Sequence, residues 1–215
     1  MIFYNAIRKI SRIPNKIIYK FFIMYNRVLF SSIGVNFGKR LRIYNCLYVT
    51  LGQDARVDIG NDFTFTSGGG INPLSRNKRG QIYAAKDARI SIGDNSGISS
   101  SCLWAKEKIT IGNYVNIGAG CIIMDTDAHN LDWKIRAGLV LDAKNEIIED
   151  STSAKSAPIT IEDNAFIGTR SIILKGVTVG ARSIIAAGSV VTKSIPPDCI
   201  AGGNPCRVLK QLNKS

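Results

Sequence analysis

His129 is the single histidine of the chain, and it stands in MDTDAHNLDW with Asp125 and Asp127 just before it. An imidazole, with an ordinary pKa of about 6.5, can take a proton from a hydroxyl at neutral pH, a contribution of about 10²- to 10⁴-fold in rate. A carboxylate beside it would fix its orientation. Asp127 is assigned that role, with Asp125 the other candidate, although both residues also suit an ordinary turn. Cys121 is close in sequence, so a covalent Cys/His mechanism is the competing chemistry. Metal chemistry finds no ligand set, because the five cysteines are scattered without a C-x-x-C pair and there is one histidine. The odd cysteine count points to a reducing, cytoplasmic setting with the thiols buried as small hydrophobes.

The elements that must position this histidine divide the chain in two. Residues 1–31 contain no glycine and one proline, Pro14. Ile2, Ala6, Ile10 and Ile13 share one helical face, with Arg8, Lys9, Arg12 and Lys16 largely off it. After Pro14 the stretch IIYKFFIMYNRVLF is a second helix candidate, interrupted by Lys20 and Arg27 and so short of the roughly 18 to 20 uninterrupted apolar residues of a spanning helix. No small-residue cleavage site follows it, which argues against a signal peptide. The expectation is a basic amphipathic segment that lies on an anionic membrane surface, at the inner face of the plasma membrane, or else packs on the main domain or in a subunit contact. Nine of the 28 basic residues and none of the 16 acidic ones precede Asp54. That local field suits an anionic surface or substrate, and nucleic acid is not an expected partner.

From residue 32 to 212 the chain changes to short β-rich pieces with frequent glycine. An aliphatic residue recurs every sixth position at Ile161, Ile167, Ile173, Val179, Ile185 and Val191. Small or β-branched residues stand four positions after the first five of these, at Ala165, Ser171, Val177, Ser183 and Ser189. The same beat runs through Ile111, Ile117 and Ile123, through Ile92, Ile98 and Trp104, and less regularly through Ile59, Phe65 and Ile71. A period of six is neither helical nor simple alternation. It describes an all-β solenoid of triangular coils, about 18 residues each, with the aliphatics inward and small residues at the corners. Two stretches break the beat: Gly68–Arg79, rich in turn residues and basic charge, and an extended loop at about 127–158 that opens beside His129.

These repeats resemble the hexapeptide-repeat acyltransferases, and the resemblance covers residues 33 to 212. The segment GAGCIIMDTDAHNLDWKIRAG is similar to the one in which galactoside- and maltose-type acetyltransferases and bacterial polysaccharide O-acetyltransferases carry their catalytic histidine. The block from Pro158 to Leu212 is similar to their cofactor-binding end. The resemblance implies a left-handed parallel β-helix, against the usual crossover hand, preceded here by the N-terminal helical segment. It implies acetyl-CoA as acyl donor without a metal, Thr169 and Ala187 along the pantetheine arm, and Thr192, Lys193, Arg207 and Lys210 near the nucleotide phosphates. Phe166 stands where the family often has a tryptophan. Ser99 or Ser101 stands near the position of an acceptor-contacting asparagine, so Ser99 is taken as substrate-binding with Trp133 and Arg136, and Arg76 is a further candidate.

The expected reaction is direct transfer of an acetyl group to a hydroxyl of a saccharide or lipid-linked saccharide destined for a bacterial surface polysaccharide, with His129 as base and backbone N–H groups stabilising the oxyanion. Alternatives are N-acetylation of an amino sugar and a non-catalytic β-helical scaffold. A carbonic anhydrase on the same solenoid would need three histidines per zinc. A groove between coils closes only when a neighbour covers it, so the expected assembly is a homotrimer.

Overall fold

A computed structural model describes residues 13–68, 71–75 and 78–212. The first helix candidate and Arg76 lie outside the described residues. Helix α1 spans Ile13–Ser32, with Pro14 in its first turn, where a missing N–H costs nothing. No helix among the described residues is long and apolar enough to cross a membrane. One side of α1 lies on the first coil of the solenoid: Phe30 is fully buried and edge-on to Phe37, and Tyr19 is edge-on to Tyr44. Asn26, also fully buried, donates to the carbonyls of Phe22 (2.7 Å) and Asn45 (2.9 Å), which fixes the helix against the open end of the solenoid.

From Asn36 onward the chain winds through three parallel sheets, visiting each in turn. The first face is built from residues 36–37, 56–59, 89–92, 108–111, 159–161 and 178–179, the second runs from 42–44 to the final strands, and the third runs from 48–51 to 190–191. Each face carries an inward column at the hexad positions. Phe37, Ile59, Ile92, Ile111, Ile161 and Val179 stack in register on the first. Ile43, Phe65, Ile98, Ile117, Ile167, Ile185 and Ala201 stack on the second. Val49, Ile82, Leu103, Ile123, Ile173 and Val191 stack on the third. This is the left-handed parallel β-helix of the expected class, and its core is a mainly aliphatic stack closed by an antiparallel hairpin, Cys199–Gly203 with Cys206–Gln211.

Two positions depart from the hexad reading. Leu103 is buried where Trp104 was expected inward. Trp104 faces outward against Tyr83, because the corner at Ser100, with φ +40°, is shorter than a full hexad. Ile71 sits in a turn, and the third face of that coil resumes at Gln81–Ala84. The corners explain the polar spacing. Asp62, Asn95, Asn164 and Asp198 take left-handed backbone conformations, which Asn and Asp tolerate. Corner side chains also bridge coils: the N–H of Asn61 donates to Asp94 Oδ1 (2.6 Å), that of Asp94 to Asn113 Oδ1 (2.8 Å), and that of Asn113 to Asp163 Oδ1 (2.7 Å). Buried Ser96 and Ser101 do the same inside the corners, donating to Gly112 and Gly118 carbonyls.

Candidate active site

The beat breaks after the strand Ile122–Met124, and the chain leaves the solenoid as a tongue that returns at Ile159. Its base is pinned by an antiparallel bridge between Thr126 and Ser156, with the Asp127 N–H on the Lys155 carbonyl (2.9 Å) and the Ala157 N–H on that of Asp125 (2.9 Å). Helix α2, Trp133–Arg136, is capped by Asp132, whose carboxylate accepts from the Lys134 N–H (2.9 Å). A tight turn at Asp142–Glu146 follows, and helix α3, Asp150–Ser153, leads back to the solenoid.

His129 projects from the base of this tongue with its side chain 70% exposed. Its Nδ1 is 2.6 Å from Oδ2 of Asp150, a residue of α3. An ionised carboxylate can only accept, so Nδ1 carries the proton and the neutral ring keeps its lone pair on Nε2, free to act as a base. The other Asp150 oxygen accepts from the Asn130 N–H at 2.6 Å. The hydrogen bond from His129, then that from Asn130, holds the Asp150 carboxyl below the usual carboxylate range. Asn130 is the node of the tongue: its amide donates to Ser153, its side-chain oxygen accepts from the Asp132 N–H, and its carbonyl accepts from Arg136 (2.5 Å). Lys106, on the preceding coil, donates to the carbonyls of Ser151 (2.7 Å), Thr152 (3.0 Å) and Ala154 (2.8 Å), so its ammonium fastens α3 and with it Asp150.

Asp150 corrects the assignment of the orienting carboxylate. Asp127 instead pairs with Lys175 at 3.0 Å. Asp125 is fully buried and accepts from the N–H groups of Lys106, Glu107 and Lys108, a structural role at the coil edge. Sequence reasoning passed over Asp150 because it lies in the aperiodic stretch KNEIIEDSTSAKSA; the signal available was an acidic residue opening a short Ser/Thr helix. Cys121 is buried inside the solenoid with Sγ on the Gly168 carbonyl at 3.2 Å, and burial pushes its thiol pKa up, so it is no nucleophile for His129.

On the second face lies a groove of about 700 Å³, and it gathers Ser99, Thr169 and Ala187 with Asn116, Phe166 and Leu74. Thr169 Oγ1 is tied to the Ala119 carbonyl at 2.5 Å, and Ser99 Oγ accepts from Thr66 at 2.9 Å. The other expected residues fall outside this lining. Thr192 and Lys193 are exposed just past the strand Val190–Val191, Arg207 and Lys210 are exposed on the last strand, and Trp133 and Arg136 stand on α2. His129 does not line the groove either. Among the described residues no group of three His, Cys, Asp or Glu side chains could hold a metal ion.

Comparison with known proteins agrees with the solenoid fold. The family described as "Hexapeptide repeat of succinyl-transferase" matches residues 158–193. Galactoside O-acetyltransferase of Escherichia coli K12 is 53% identical over 58 residues, 27% of this chain and 29% of that protein. The matched stretches span less than half of the length of the first curated relatives. The hexapeptide-repeat acetyltransferase VCA0836 of Vibrio cholerae, in complex with acetyl coenzyme A, is 34% identical over 62% of this chain and 66% of that one, with a TM-score of 0.51. AntD of Bacillus cereus, an N-acyltransferase in complex with dTDP-4-amino-4,6-dideoxyglucose and coenzyme A, covers 87% of this chain and 89% of its own with a TM-score of 0.61. At 19% identity that likeness is one of fold.

Proposed function

Because this chain belongs to the hexapeptide-repeat acyltransferase superfamily, we propose that it transfers an acyl group directly from acyl-coenzyme A to a nucleophile on a sugar, with His129 as general base. The observation that carries this is the contact of His129 Nδ1 with Asp150 Oδ2, which makes Nε2 the lone-pair nitrogen of the neutral ring on an exposed side chain. Nε2 takes the proton of the acceptor as its heteroatom attacks the thioester carbon. The C–S bond then breaks, and the coenzyme A thiolate leaves with the proton returned by the imidazolium. Asp150 steadies the imidazolium while it exists, and backbone N–H groups stabilise the oxyanion.

The first reading is N-acylation of an amino sugar, and its support is a likeness of fold, over 87% of the chain, to an enzyme bound to an amino-sugar nucleotide. O-acylation of a saccharide hydroxyl, the expectation from sequence, is the second reading. It is favoured by the 53% identity with a galactoside O-acetyltransferase and by the orienting carboxylate, since a hydroxyl needs a base more than a neutral amine does. Acetyl-CoA would lie along the groove at Thr169 and Ala187, with Thr192, Lys193, Arg207 and Lys210 toward the phosphates. A homotrimer fits this reading, because groove and histidine are not joined within one chain and apolar side chains remain outward at Ile122, Trp104, Leu131 and Trp133. A cytoplasmic location and a role in surface-polysaccharide synthesis complete the proposal.

The test is thiol release from acetyl-CoA against amino sugars, nucleotide-linked amino sugars and hydroxyl sugars, with wild type and His129→Ala side by side. Turnover on one acceptor class with a loss of about a hundredfold in the variant supports the proposal and chooses the nucleophile. Equal rates in variant and wild type overturn the role of His129.

A further inference from the structure

The outer side of α1 carries a continuous stripe of exposed apolar side chains. Ile17, Phe21, Met24 and Val28 recur at i, i+4, i+7 and i+11 and are 64%, 55%, 61% and 65% exposed, with Ile18 and Tyr25 exposed beside them. The helix cannot roll to hide this stripe. Its opposite side is fixed by buried Asn26, whose amide is bonded to carbonyls of the first coil, and by buried Phe30. At 3.6 residues per turn, Lys20 and Arg27 fall together along one edge of the stripe, and both are exposed. No acidic residue occurs in α1 or anywhere before Asp54, and Arg8, Lys9 and Arg12 precede the helix in sequence.

From this juxtaposition we propose that α1 is a docking face for an anionic lipid bilayer, lying flat in the headgroup layer with its aromatic and aliphatic stripe inserted and Lys20 and Arg27 on the lipid phosphates. Charge decides between this occupant and a second copy of the chain. Pairing the stripe antiparallel with itself would bring two basic edges together, and in either orientation α1 has no carboxylate to neutralise them, whereas anionic headgroups do. The helix is too interrupted by charge to cross the membrane and is suited to lie on it. The active site would then be held at a membrane surface. That suits an acceptor sugar carried on a lipid, and this clause alone rests on the function proposed above.

The experiment is co-sedimentation of the full chain with vesicles of phosphatidylcholine alone and of phosphatidylcholine containing about a third phosphatidylserine, at low and high salt. Two variants are compared with wild type: Phe21→Ser/Met24→Ser, which removes the apolar centre, and Lys20→Glu/Arg27→Glu, which reverses the edge. All four side chains are exposed, so both variants should fold as wild type does by circular dichroism. The expected result is binding to the anionic vesicles, weakened about tenfold or more in each variant and by salt, with acyl transfer to a soluble acceptor unchanged. Absence of wild-type binding to the anionic vesicles overturns the proposal, as does undiminished binding of the Phe21→Ser/Met24→Ser variant. A variant that instead loses its oligomeric state in sedimentation velocity also overturns it, and assigns the stripe to a second copy. Vesicle binding is read without turnover, so its failure is distinguishable from failure of the acyltransferase reading.

Discussion

Replacing Asp150 with asparagine isolates the one bond that fixes the imidazole. His129 is largely exposed, and its hydrogen bond is the 2.6 Å contact to Asp150 Oδ2. An asparagine preserves the shape and, through its carbonyl oxygen, can still accept from the Asn130 N–H. Its NH₂ group, however, then faces Nδ1 and donates to it. The ring must carry its proton on Nε2, where it can no longer accept one from the acceptor. Since a positioned general base contributes about 10²- to 10⁴-fold, the expected outcome is a kcat reduced by about a hundredfold or more with the KM for acetyl-CoA little changed. Asp127→Asn is the matched control. Asp127 is paired with Lys175, away from the ring, so its kcat should stay within about threefold of wild type. Steady-state thiol release on both variants checks this. A near-wild-type Asp150→Asn, or an Asp127→Asn that loses as much, would refute the assignment of Asp150 as the orienting residue.

Lys106→Met removes the ammonium from the carbonyls of Ser151, Thr152 and Ala154. It should lower kcat about tenfold while leaving coenzyme A binding intact, with faster amide exchange at 150–154 and partial rescue by Lys106→Arg. The Asp150 carboxyl is held below its ordinary range, so its anchoring of the tongue is present above the usual carboxylate pKa and fades as pH falls through the lowered value. In a Trp104→Phe background, Trp133 emission should therefore change on acidification, and Asp150→Asn should lack that transition. Identical titrations would contradict the anchor. Gly168→Ala would put a Cβ 2.5 Å from the Ala187 nitrogen on the next coil and should destabilise by about 2–3 kcal/mol in urea unfolding. Gly188→Ala meets open space and is penalised by its φ of +73°, at about 1 kcal/mol. Equal costs would contradict the close stacking of coils at Gly168.

The aliphatic hexads were sufficient to specify the solenoid, because each coil packs on the one below through the same inward position, so a local period repeats a tertiary contact. Ile161, Ile167 and Ile173 fall in three separate columns, one on each face, as their spacing already requires. His129 was equally legible, as the one imidazole at the point where the beat stops. The tertiary structure decided what no period encodes. Asp150 reaches His129 because a tongue of irregular path closes on itself, held by Asn130 within and Lys106 from the coil beside it. Trp104 turned outward because one corner is short. The N-terminal helix was readable as basic and amphipathic, but which side it buries was set by Asn26 and Phe30 meeting the first coil, and that choice leaves Phe21 and Met24 in solvent. Repetition writes a contact into the sequence many times, whereas a contact made once, across a loop or at an open end, is fixed only when the chain has folded.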